Sequence, residues 1–241
     1  MSMVIPPLDR PVDLGSECVV GTGDCGGTGG SMVAPMNGGG EPGPEHHDGD
    51  TGRIRLGGRG ELPKTDLRVS AYVECDAANA AIGVAMAAAP LPRDVATMLV
   101  SVQNDLLDLV SDLGVPAVGA QRVQCRIVPA HVERLDRAVG YFAEQAGDLS
   151  GMVLPGGTVG AALLYQARAA VRRAEVAVWR AIEAHQDDVN RDIARYLNHL
   201  STLLFVIARG ANAEMGDAAW VPEFSVRPAP EASDGETAGG H

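Results

Sequence analysis

The sequence predicts an all-α fold, a bundle of five helices. Three observations carry that prediction. Between Lys64 and Asn212 apolar residues recur at spacings of three and four, the connections between these stretches are short, and alternating strand patterns are almost absent. Both ends of the chain read differently. Sixteen of the thirty glycines lie in the first sixty residues, and the stretch from Val221 is rich in Pro, Ala, Glu and Gly, so neither end can bury much apolar surface. The expected layout is a glycine-rich arm over 1–63, a helical domain over 64–213 and a flexible tail over 214–241.

Within the arm, residues 19–30 read VVGTGDCGGTGG, and Gly21, Gly23 and Gly26 fit the spacing G-x-G-x-x-G. A dinucleotide fingerprint must open a helix, however, and the SMVAPMNGGG that follows cannot. The better physical reading is a loop whose unhindered amides and Thr22, Asp24 and Thr28 side chains wrap phosphate oxygens or a metal ion. Residues 37–60 have low complexity and no periodicity, which predicts a disordered insertion; His46, His47, Asp48 and Asp50 then belong to a solvated loop.

Helical order is expected from about Lys64, after Pro63, with Val69, Tyr72, Val73, Asp76, Ala80 and Gly83 along one face. The second helix should span Arg93 to Leu113, with Leu99, Val102, Leu106, Leu109 and Leu113 inward and Gly114 and Pro116 ending it. The third should run from about Ala130 to Ala146, burying Val132, Leu135, Val139 and Phe142 and leaving Glu133, Arg134, Asp136 and Arg137 solvated. From Leu154 to Asn212 the pattern gives a hairpin of two long helices. The first carries a stripe of small residues, Leu163, Ala167, Ala170, Ala174, Ala177 and Ala181, and places Arg168, Arg172 and Glu175 on another face at i, i+4 and i+7. The second buries Val189, Ile193, Leu197, Leu200, Leu204 and Ile207, with Asn198 among them.

The formal net charge of −12 disfavours a nucleic-acid partner, so the arginine cluster is a local device. Arginines so spaced fit either a surface salt-bridge ladder or a polyphosphate, because Glu175 alone cannot satisfy their donors. Cys18, Cys25, Cys75 and Cys125 match no zinc or disulfide spacing, and the N-terminal MSMVIPPLDRPVDLGSE lacks the form of a secretory signal. No eighteen-residue apolar run appears, so a soluble cytoplasmic protein without a membrane partner is expected.

Three blocks resemble the PduO-type ATP:cob(I)alamin adenosyltransferases. They are Thr22-Gly23-Asp24-Cys25-Gly26-Gly27-Thr28, the run from Lys64-Thr65-Asp66-Leu67-Arg68-Val69 through Asp76 and Asn79 to Ile82-Gly83, and the long block from Leu154 through Arg168, Arg172-Arg173-Ala174-Glu175, Asn198, Leu200-Ser201, Phe205 and Arg209 to Asn212. The resemblance implies a homotrimer of five-helix bundles with active sites between subunits. It implies that reduced cobalamin attacks the ribose methylene carbon of ATP and expels triphosphate, with magnesium present. Thr22, Gly23, Asp24, Gly26, Thr28 and Lys64 would bind triphosphate, while Arg172, Glu175 and Asn198 complete the ATP and Mg2+ site, Glu175 being the metal ligand. Asp66 and Arg168 would form an intersubunit ion pair beside the corrinoid, and with Arg172 they make up the catalytic set. Met152 stands where the family has an aromatic residue against the corrinoid. A cobalamin reductase and an adenosylcobalamin-dependent enzyme follow as partners. Departures at Gly21, Cys25, Ala77, Ala78, Val176, His199 and Thr202 leave a second reading open, a non-catalytic homologue that binds ATP or a corrinoid.

Overall fold

The computed structural model describes residues 49–117 and 125–226. It contains a short antiparallel hairpin, β1 (Arg53–Arg55) and β2 (Glu61–Pro63), followed by five helices: α1 (Leu67–Ala88), α2 (Arg93–Leu113), α3 (Pro129–Ala146), α4 (Val159–His185) and α5 (Arg191–Gly210). The five-helix expectation holds, and the bounds of α2 are those read from the sequence.

The hairpin corrects one expectation. Residues 49–60 of the supposed disordered insertion are ordered: Ile54 pairs with Leu62, and Leu56 is buried at the foot of a 3-10 turn over Gly57–Arg59. A single aliphatic residue per strand is too sparse to register as a period, so long-range contacts carry the order instead. Gly57 sits at φ +47° with the Gly114 carbonyl where a Cβ would be, at 2.7 Å, so the turn lies flat against the end of α2.

α1 begins at Asp66, whose carboxylate accepts the Arg68 amide at 2.9 Å as an N-cap. Its buried positions are Val69, Ala71, Cys75, Ala78, Ile82 and Ala85; of the expected series only Val69 is among them, and Val73 and Ala80 face outward. The helix packs on α4, where Ala167, Ala170, Ala174, Ala177 and Ala181 are all buried. Small residues on both surfaces let the two backbones approach closely, and this contact decides which face of α1 turns in. The predicted stripe is buried throughout, Val189 just ahead of α5 and the rest within it, while Asn198 stands outside it and is exposed.

α3 departs from expectation at Arg134, which is not simply solvated. It binds the Ser101 hydroxyl at 2.7 Å and the largely buried Asp105 of α2, whose carboxylate also accepts the Tyr196 hydroxyl at 2.8 Å. This paired network ties α2, α3 and α5 together.

Candidate active site

Two groups of polar residues stand apart on the bundle. The first gathers where α1 begins. Gly49, Asp50, Thr51 and Gly52 form a tight turn closed by the Gly52 amide donating to the Gly49 carbonyl at 3.1 Å. Both glycines have positive φ, +103° and +74°. The Lys64 amide donates to the Gly52 carbonyl at 2.8 Å, and the Lys64 ammonium lies 3.0 Å from where a Gly49 Cβ would be. A cation thus lies against an exposed glycine turn.

Two residues further on, Asp66 receives the Arg68 guanidinium through Nε at 3.0 Å and Nη2 at 2.7 Å, with His185 Nε2 at 3.5 Å. The Arg68 hydrogen bonds hold the Asp66 carboxyl down to about 2 against the opposing effect of burial. Asp188 accepts from Arg68 at 2.8 Å and also from Arg59.

The second group lies on α4. Arg168, Arg172 and Glu175 share one face as the spacing requires, and Arg173 turns aside to a surface pair with Glu74 at 3.3 Å. Among the described residues neither Arg168, Arg172 nor Glu175 has an ion-pair partner. Arg168 lies over the Phe205 ring at 5.3 Å, and Arg209 approaches the same ring at 5.7 Å. Burial, and then the charge of Arg172, weaken the hold of Arg168 on its proton. Three buried polar atoms around this ring lack partners: Arg168 Nε, Arg209 Nη1 and the Tyr165 hydroxyl. Orphaned buried donors are costly, so they point to an acceptor supplied from elsewhere.

Within one chain the two groups do not meet. Asp66 sits beside His185 at the end of α4, seventeen residues from Arg168, or about 25 Å along the helix. The predicted Asp66–Arg168 pair therefore cannot form within a single subunit. Thr22, Gly23, Asp24, Gly26 and Thr28 lie outside the described residues.

A third region lies beyond the N-terminus of α4. Asn212, only 1 % exposed, donates to the Gly156 carbonyl at 2.9 Å and accepts the Thr158 amide at 2.9 Å, and its amide fills the space where a Gly157 Cβ would fall. The Leu-Pro-Gly-Gly-Thr run and the terminal Asn of the last sequence block are thus one structural clasp. Met152 just before it is 68 % exposed. The chain past α5 is anchored as far as Trp220, so residues 217–220 do not follow the flexible-tail expectation. Asp217 binds Arg209 at 2.5 Å and Asn212 at 2.8 Å, and Trp220 donates its amide to the Met152 carbonyl at 2.9 Å. Sequence reasoning misses Asp217, Trp220 and the 49–52 turn. For the turn, a Gly-Asp-Thr-Gly run twelve residues before Lys64 is the available signal.

The bundle and the α4 cations define a class: an all-α protein with a helix face whose Arg168 and Arg172 have no ion-pair partner among the described residues. The chain belongs to the cobalamin adenosyltransferase family, whose model matches residues 46–211. The corrinoid adenosyltransferase of Mycobacterium leprae is 40 % identical over 178 residues, 72 % of this chain and 93 % of that protein. Its counterpart in Bacillus subtilis is 33 % identical over 171 residues, covering 70 % and 86 % respectively. Among solved structures, a single-residue variant of a PduO-type ATP:corrinoid adenosyltransferase from Lactobacillus reuteri, complexed with cobalamin and ATP, superposes with a TM-score of 0.65 at 29 % identity, covering 72 % of this chain and 96 % of that one. The match begins at residue 46, so the 19–30 loop falls outside it and the 49–52 turn falls inside.

Proposed function

We propose that this chain transfers the adenosyl group of ATP to cob(I)alamin, releasing triphosphate and forming adenosylcobalamin. The observation that carries the site is the row of unpartnered cations on α4 beside the unpaired carboxylate of Glu175. The reduced cobalt of the substrate attacks the ribose methylene carbon. The carbon–oxygen bond to triphosphate breaks, and its electron pair leaves with the triphosphate. No protein base is required, so the work of the chain is to hold two substrates in line and stabilise the departing charge.

Arg172 and Lys64 supply cations to the triphosphate. We place the phosphate-binding turn at Gly49–Gly52, supported by its contact with Lys64 and by the extent of the family match, instead of at residues 22–28. Glu175, half-buried and free of an ion pair among the described residues, fits a Mg2+ ligand, since a hard cation takes a carboxylate and keeps most of its waters. Asn198, exposed on α5, completes the nucleotide contacts in this reading, and Met152 faces the corrinoid.

The separation of the two groups supports a site shared between subunits of a homotrimer: Asp66 of one chain meets Arg168 of the next, giving the buried Arg168 Nε its acceptor. A cytoplasmic location, with a cobalamin reductase delivering one substrate and an adenosylcobalamin-dependent enzyme taking the product, completes the proposal. Among the described residues no helix is long and apolar enough to cross a membrane.

The test mixes purified protein, ATP, Mg2+ and chemically reduced cobalamin, and follows loss of cob(I)alamin absorbance and gain of adenosylcobalamin. Turnover supports the reading. ATP binding that depends on Arg172, with no turnover, would leave a non-catalytic binder. Sizing that gives a monomer at micromolar concentration rules out the shared site.

A further inference from the structure

We infer that Trp220 is a corrinoid-contacting residue which, with Met152, forms an apolar platform for the face of the macrocycle; this rests on the adenosyltransferase reading above. Val153 and Ala219 form an antiparallel bridge flanked by two hydrogen bonds, Trp220 amide to Met152 carbonyl at 2.9 Å and Leu154 amide to Ala218 carbonyl at 2.8 Å. In such a ladder residues directly opposite project to the same side with Cβ atoms about 5 Å apart. Met152 and Trp220 are therefore cross-strand neighbours on one face, opposite to the half-buried Val153. Both are large and apolar, yet Trp220 remains 50 % exposed and Met152 more so. Adjacent exposed side chains of this size form a patch rather than scattered surface residues.

The strand that carries Trp220 is also tied to the bundle. Asp217, three residues before Trp220, is held by the buried Arg209 and by Asn212, and Arg209 donates again to the Asp148 carbonyl at 2.8 Å. Arg209 shares the Phe205 ring with Arg168. One chain of contacts therefore links the unsatisfied arginine of α4 to the strand that carries Trp220. The backbone at position 220 is thus tied to the candidate site.

The chemistry suits the occupant. A corrin ring is broad, nearly flat and largely apolar on its faces. An indole offers a large rigid surface with only two side-chain torsions, whereas methionine adapts to irregular contours. Together they match a flat ligand better than either does alone. The solved relative is complexed with cobalamin and ATP, so a ligand of this shape is at hand in the proposed reaction.

The experiment uses the full chain with cob(I)alamin and ATP as probes and compares wild type, Trp220→Ala and Trp220→Phe. Trp220→Ala should raise the KM for cob(I)alamin about tenfold or more, the equivalent of about 1.4 kcal/mol, and leave the KM for ATP within about twofold. Trp220→Phe should recover most of the loss. Trp179→Phe leaves Trp220 as the only tryptophan, and its fluorescence should be quenched by added cobalamin far more than that of Trp220→Phe. An unchanged cobalamin KM in Trp220→Ala overturns the inference. So do equal rises in both KM values with a lowered Tm, which mark a structural role, and an altered oligomer size without a cobalamin effect, which marks the patch as a contact between copies. Wild type without turnover defeats the functional reading instead.

Discussion

The two ends of α4 handle charge in opposite ways. Beside its C-terminal end the guanidinium groups of Arg59 and Arg68 are both met. Arg59, with a side chain only 3 % exposed, donates to the carbonyls of Leu113, Val115 and Asp188, each at 2.7 Å, and to the Asp188 carboxylate, which also holds Arg68. In the first half of α4, Arg168 and its neighbours Arg209 and Tyr165 keep buried atoms without acceptors. Satisfied charge fastens the hairpin and the α4–α5 turn to α2, so it is architecture. Unsatisfied charge, in the proposed reading, awaits a substrate or a neighbouring subunit.

Changes at the unsatisfied end should damage activity and spare stability. Arg172→Ala should lower kcat on the order of 100-fold to 1,000-fold while Tm stays near that of the wild type, measured by the cob(I)alamin assay and thermal unfolding. A large fall in Tm would break the comparison. Changes at the satisfied end should do the reverse. Arg59→Ala leaves three carbonyls without their donor and Asp188 with Arg68 as its remaining cation, and should cost about 3 kcal/mol, seen in a denaturant titration, with kcat per folded chain little altered.

Gly157→Ala places a Cβ against Asn212 at a φ of +96° and should cost about 2 kcal/mol in the same titration. Because this clasp sets the Met152 strand, its cobalamin KM should rise as well. The smallest effect concerns pH. The Asp66 carboxyl is held below its ordinary value, so its contribution is complete above about pH 4 and disappears as pH falls towards 2. Asp66→Asn keeps the helix cap and should flatten that part of the stability profile, read from Tm against pH.

Most of the bundle is legible in the sequence because period and burial coincide. The stripes of α2, α4 and α5 all face the core, and Gly114 ends α2 as its position suggests. α1 is misread at Val73 and Ala80, because its alanines and valines lie on several sides and the close approach of α4 selects the buried face. The cations of α4 are legible by spacing, but that Arg168 lies partly buried over Phe205 depends on α5, which no local pattern reports. The glycine loop at 19–30 attracts attention through its composition. The turn at 49–52 takes its meaning from Lys64, twelve residues away in sequence and brought near by the hairpin.

The Asn212 clasp joins the two ends of the α4–α5 hairpin into a closed circuit: Gly156 to Thr158 at its start, Asn212 at its finish. Terminal fraying, which ordinarily begins at the last turn of a helix and proceeds inward at little cost, is blocked at that point. To open, the circuit must release Asn212, Asp217 and the Met152 strand in one step. The amides of Leu154 and Trp220 should then exchange with solvent deuterium together, and a protease that cuts beyond Asn212 should find the ends of α4 and α5 either both open or both closed.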